Sequence, residues 1–163
     1  SGSRISPVEV PLGSLDVTSF AISPDGGHYA VTDGARGVRV GLVRRGTRED
    51  VVERLLPPLR VVASVDRPAS VHWVDGTHVV FLARTQVGVQ VHSAVIDGSD
   101  QPGAITGAEP LLPDVGARSL ALGAGVDPPL WVVDRRGRLW YRPVGQSWLV
   151  RDRGPVQSLS SAP

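Results

Sequence analysis

Short apolar runs separated by Asp-Gly and Pro-rich turns recur about every 50 residues along this 163-residue chain, and that recurrence restricts the fold more than any single motif does. In the first unit, Val17-Thr18-Ser19-Phe20-Ala21-Ile22 runs into Ser23-Pro24-Asp25-Gly26 and then His28-Tyr29-Ala30-Val31-Thr32. Proline presets φ at the second position of a turn, aspartate suits the third, and glycine accepts a positive φ, so this reads as a hairpin. Asp33-Gly34-Ala35-Arg36-Gly37 then leads to Val38–Val43, and a fourth strand is expected within Glu49–Leu56, before Pro57-Pro58 breaks the chain. The plan repeats with Ser70–Val74, Asp75-Gly76, Thr77–Leu82 and Gly88–Ile96. It repeats again with Arg118–Leu122, Leu130–Val133, Arg138–Tyr141 and Trp148–Val150. The first-hairpin turns fall at Asp25-Gly26, Asp75-Gly76 and Val126-Asp127. Units of this size built from short antiparallel strands are the mark of β-propeller blades.

Helix is a poor competitor, because about one residue in six is Val and no window sustains apolar residues at i, i+3, i+4 and i+7. Val71–Val74 and Val79–Leu82 are apolar on both faces, so both faces need cover, as stacked blades supply. A β-sandwich covers inner faces too, but predicts no such period. The fold class expected is all-β: a propeller segment of about three four-stranded antiparallel blades forming a partial ring. Residues 1–16 are expected to be extended or to add a strand to a blade, and residues 17–163 to hold the blades, near 17–59, 60–116 and 117–163. Their innermost strands should lie near Phe20, Trp73 and Leu120. Propellers close with about four to eight blades, so three imply a fragment of a larger ring. Apolar end faces are expected around Phe20 to Val31 and around Trp131 to Trp148, with a homodimer of three plus three blades as one way to cover them.

Composition narrows the chemistry. The chain has no Cys, which excludes disulfides, thiolate metal sites and a cysteine nucleophile. All 17 basic residues are Arg, and Asn is absent as well, a pattern of GC-rich coding rather than of phosphate recognition. Arg and acidic residues nearly balance, so no nucleic-acid footprint is present. From residue 118 onward, however, seven Arg face only three Asp. Every apolar run is interrupted well short of the ~18 residues of a membrane span, and Ser1-Gly2-Ser3 opens no recognisable targeting pattern.

Candidate sites follow from the polar residues. His72 and His78 flank one hairpin; with Asp75-Gly76 as a two-residue loop, Trp73 faces His78 and His72 faces Val79, which puts the two imidazoles on opposite faces and prevents a shared metal. His28 and His92 lie in other units without nearby ligand spacing. Asp25, Asp75 and Asp97 each precede Gly, the pattern of turn-forming carboxylates, and no loop has calcium-binding spacing. No Gly-x-Ser-x-Gly elbow surrounds any serine. Neither a metal, a cofactor nor a catalytic residue is therefore expected. Arg135, Arg136 and Arg138 cluster at a turn, with Arg142, Arg151 and Arg153 close in sequence and Trp140, Tyr141 and Trp148 interleaved. Arg, Trp and Tyr dominate binding hot spots, so these six arginines are the expected partner-binding residues, against the alternative of a solvated turn over a tryptophan core.

The run Phe20-Ala21-Ile22-Ser23-Pro24-Asp25-Gly26-Gly27-His28-Tyr29-Ala30-Val31 resembles the Ser-Pro-Asp-Gly blade signature of TolB-like propellers. The order that follows, Gly37–Val43, Val71–Leu82 and Val95-Ile96-Asp97-Gly98-Ser99, is similar to the C-terminal propeller of actinobacterial LpqB-type lipoproteins over most of residues 17–153. That resemblance implies an extracytoplasmic, cell-envelope protein without enzymatic activity, whose lipid-anchored parent carries a GerMN domain ahead of the propeller. It implies a protein partner, the extracytoplasmic part of a sensor histidine kinase. Lipobox cysteine and GerMN region do not occur in these 163 residues, and the family carries no catalytic motif to transfer. The alternative is a propeller that binds a sugar or peptide, or hydrolyses a substrate, at its central channel.

Overall fold

The computed structural model describes residues 13, 15–34, 37–46, 52–57, 60–62, 65–96, 109–112, 116–125, 127–151, 155–157 and 159. Every regular element among the described residues is a strand, and the strands form three antiparallel sheets. The first contains β1 (Val17–Ile22), β2 (His28–Asp33), β3 (Gly37–Arg45), β4 (Val52–Leu55) and β5 (Arg60–Val62). The second is β6 (Asp66–Trp73), β7 (His78–Thr85), β8 (Gly88–Val95) and β9 (Glu109–Pro110). The third is β10 (Ala117–Leu122), β11 (Leu130–Asp134), β12 (Leu139–Arg142) and β13 (Leu149–Arg151). Each sheet is a blade of a partial β-propeller, with strands in sequence order. The first blade differs from the four-stranded expectation. β4 and β5 share the outer edge of β3, β4 opposite residues 43–45 and β5 opposite residues 38–40, so residues 60–62 belong to this blade and not to the second. The expectation for residues 1–16 falls almost wholly outside the described residues.

The innermost strands are β1, β6 and β10, which contain Phe20, Trp73 and Leu120, and they lie side by side. Hydrogen bonds tie the first two together: Trp73 Nε1 donates to the Ala21 carbonyl at 3.2 Å, the Val71 amide to Ser19 Oγ at 3.1 Å, and Thr18 Oγ1 to the Pro68 carbonyl at 3.2 Å. Each inner strand carries a register shift near its start, between Val17 and Ser19, Asp66 and Ala69, and Ala117 and Ser119. An extra residue at such a point increases local twist, and its recurrence gives all three blades the same inner-edge bend. β6 has a second shift before His72, and a residue with positive φ sits in each of its two shifts, Arg67 at 45° in the first and Ser70 at 52° in the second.

Two apolar layers join the blades. Ala30, Val38 and Val40 of the first meet Val71, Trp73, Val79 and Phe81 of the second. On the other side, Val80, Leu82 and Val91 meet Leu120, Leu130 and Val132 of the third. β7 thus buries alternate residues in opposite directions, which accounts for its unbroken apolar run. Beyond the first blade lies a third cluster of Tyr29, Val31, Val43 and Leu55, with Leu15 packed against it. Tyr29 needs Gly41 as its cross-strand partner, because a Cβ there would come within 2.4 Å of the phenol ring. At the far end, Trp140 and Trp148 turn inward against the second blade, contrary to the expectation of a bare tryptophan face. Only Trp131 faces outward with Tyr141, and the C-terminal stretch returns to this sheet: Val156 donates to the Gly137 carbonyl at 2.9 Å and Leu159 to Ser119 Oγ at 3.2 Å.

Candidate partner-binding surface

The arginine turn is built around a residue that sequence reasoning passed over. At the end of β11 the Gly137 amide donates to the Asp134 carbonyl at 3.0 Å, and Gly137 has a φ of 78°. This is a type I turn followed by a left-handed glycine, for which aspartate first and glycine fourth is the favoured pattern. The Asp134 side chain is almost wholly buried and accepts four hydrogen bonds: from the Arg136 amide at 2.8 Å, the Arg138 amide at 2.9 Å, Arg138 Nε at 2.6 Å and Trp140 Nε1 at 3.1 Å. Burial pushes this carboxyl up, but the four donors outweigh it and hold Asp134 below the usual carboxylate range. Asp33 occupies the equivalent place in the first blade, buried at the end of β2 with Arg39 Nε 3.9 Å away.

Arg138 is therefore a structural partner, pinned to Asp134 and lying 5.2 Å from the Trp140 ring centre. Arg135 and Arg136 project into solvent from the tip of the turn. The Arg135 stem passes Gly116, where a Cβ would sit 2.9 Å from Cδ, and its amide donates to the Gly116 carbonyl at 2.8 Å. Its guanidinium reaches the β7–β8 turn at Gly88, spanning two blades. Arg151 lies one strand out, opposite Leu139, with its guanidinium 5.2 Å from the Tyr141 ring centre. Tyr141 in turn stacks on Trp131 at 5.0 Å and 22°. Trp131, Tyr141 and Arg151 thus form one pile on the outer face of the third blade. Arg118, not among the six, reaches the same end, since the register pairs its neighbour Ala117 with Asp134.

The six arginines do not form one surface. Arg142 pairs with Leu130 at the opposite end of the blade, where its Nε donates to the Gln146 carbonyl at 2.9 Å. Arg153 lies outside the described residues.

The histidine geometry also differs from expectation. Val74 donates to the His78 carbonyl at 2.9 Å and Trp73 pairs with Val79, so the loop has three residues, Asp75, Gly76 and Thr77. One extra loop residue flips the facing, and His72 and His78 share the face toward the third blade. Asp75 caused the change: its Oδ1 accepts from the Thr77 and His78 amides at 2.7 Å each, and Oδ2 meets His78 Nδ1 at 2.7 Å. Burial raises the Asp75 carboxyl, and these bonds more than reverse that, leaving it low. Burial also lowers His72, against a bond to the Leu120 carbonyl that raises it. His28 packs by Trp73, and His92 stacks on Phe81. Among the described residues no three His, Asp or Glu come together as a metal-sized group.

No protein-family profile matches the chain, and no curated protein matches it at a significant level.

Proposed function

We propose that this chain is a non-enzymatic interaction module, part of an LpqB-like cell-envelope lipoprotein that modulates a sensor histidine kinase by contacting its extracytoplasmic region. What supports the reading is the Trp131, Tyr141 and Arg151 pile on the same blade as the exposed Arg135 and Arg136. Stacked aromatics capped by a guanidinium offer contact area at low entropic cost, and the exposed charges at the end of the blade steer an acidic partner into place. The blade fold and the Ser23–Gly26 turn agree with the family resemblance that names the partner class.

Binding of the full chain to the cognate kinase's extracytoplasmic domain tests this. Arg135→Glu with Arg136→Glu should slow association about tenfold and flatten its salt dependence, since exposed rim charges act mainly on encounter. Arg151→Ala should speed dissociation. Arg138 is a poor probe, because removing it strands a buried carboxylate. Unchanged kinetics in both variants, with no salt dependence in the parent, would refute the proposal.

A further inference from the structure

A cleft of about 350 Å³ opens between the second and third blades, at the end opposite the arginine turn. Its lining is mainly apolar, from Val80, Leu111, Leu130 and Val144. Four polar side chains line it as well: Asp75 in the loop before β7, His78 at the start of β7, Ser93 on β8, and Arg142 at the end of β12. Their hydrogen bonding is unequal. The Asp75 carboxylate at the rim is already engaged by Thr77 and by both the amide and ring of His78. Arg142 is anchored through Nε to the Gln146 carbonyl, and among the described residues no carboxylate lies within ion-pair distance of it. The cleft therefore offers an oriented cation with no anion among the described residues at its terminal nitrogens, beside an apolar cavity in the size range of small-ligand sites.

We propose that this inter-blade cleft binds a carboxylate attached to a compact apolar body, with Arg142 taking the carboxylate and Val80, Leu111 and Leu130 enclosing the hydrocarbon. Such a group exists as a free N-acylated hydrophobic amino acid and as the C-terminal residue of a polypeptide. Guanidinium and carboxylate match as a two-point, charge-assisted pair, and Ser93 supplies a further hydrogen-bonding hydroxyl. A ligand with the body but no charge would leave Arg142 unmatched; one with the charge but no body would leave the cavity wet.

Amide chemical-shift mapping on the full chain tests this with N-acetyl-L-leucine, N-acetyl-L-leucinamide, acetate and an N-acetylated pentapeptide ending in leucine. The acid should produce saturable shifts at Ser93, Leu130 and Val144, with the amide about tenfold weaker, as the loss of one charge-assisted pair predicts, and acetate without effect. Arg142→Gln should bring the acid down to the amide's affinity while leaving the amide unchanged. Val144→Asp, at an exposed position on the lip, should weaken the acid selectively without touching the core. Tighter binding of the pentapeptide than of the free acid assigns the site to chain ends, and the reverse assigns it to free metabolites. Equal affinity for acid and amide, a preference that survives Arg142→Gln, or the absence of saturable shifts in the cleft at millimolar probe overturns the proposal.

Discussion

Asp134 shows how one buried acid can set the geometry of a charged surface. Its four donors are arranged for an anion, and a neutral amide would place its NH2 against some of them. Asp134→Asn should therefore cost about 2 kcal/mol at neutral pH, measured by urea unfolding. The pH dependence follows from the depressed acidity. Asp134 contributes stability above the ordinary carboxylate value of about 4, and that contribution is lost as pH falls through that value and the lower folded one. The parent should lose stability more steeply than the Asn variant below about pH 4, and the two curves should converge. At the alkaline end, burial pushes Tyr29 up to about 12, while its hydroxyl donates to the Leu56 carbonyl at 2.5 Å. A raised value stabilises the neutral form. The stabilisation is complete below the ordinary value of about 10 and disappears as pH climbs toward about 12, so Tyr29→Phe should remove this alkaline loss from a pH series of unfolding curves. Asp134 was legible in part: Asp-Arg-Arg-Gly has the form of a turn, but nothing in the sequence told that its carboxylate would be buried rather than solvated.

Among the strands, β7 carries the most consequence. Phe81 is fully buried between the first two blades and stacks on His92 at 5.8 Å. Phe81→Ala should destabilise by about 3–5 kcal/mol, comparable to the whole stability of a modest domain, and thermal unfolding checks it. β7 was readable because a run apolar on both faces has few solutions, and β1 was readable to the residue because a Pro-Asp-Gly turn follows it. Two features escaped. Asp75-Gly76 reads as a two-residue loop because Asp-Gly is the commonest short hairpin signal; the carboxylate captures the Thr77 and His78 amides and the loop has three residues, which reverses every facing derived from the shorter one. Pro57-Pro58 looks like a blade boundary, whereas residues 60–62 pair with the outer edge of β3 and complete the first blade. The arginines separated for a similar reason: nearness in sequence says little when a strand carries Arg138 and Arg142 to opposite ends of a sheet.

For the whole molecule, the exposed end face of the first blade makes the sharpest prediction. Phe20 and Ile22 are 42% and 45% exposed on the innermost strand, beside the buried Tyr29 and Val31. Burial of this face against a second copy, the homodimer expected from blade counting, requires light scattering after sizing to show a species heavier than one 17.2 kDa chain. Phe20→Ser with Ile22→Ser should return it to a monomer, and a parent already monomeric at high concentration sinks the idea. The three blades are legible in the sequence because the ~50-residue period is independent of the register within any one hairpin. The inter-blade hydrogen bonds have a kinetic consequence. Thr18 to Pro68, Ser19 to Val71 and Ala21 to Trp73 span 50 to 52 residues, one repeat each. A bond at this spacing closes a loop of one repeat wherever it stands in a row of blades, so the entropic toll of docking a blade on its predecessor does not grow with the number already in place. A chain wired in this way can assemble vectorially, each blade templating its successor as it leaves the ribosome, and can come apart in the reverse order from a frayed end.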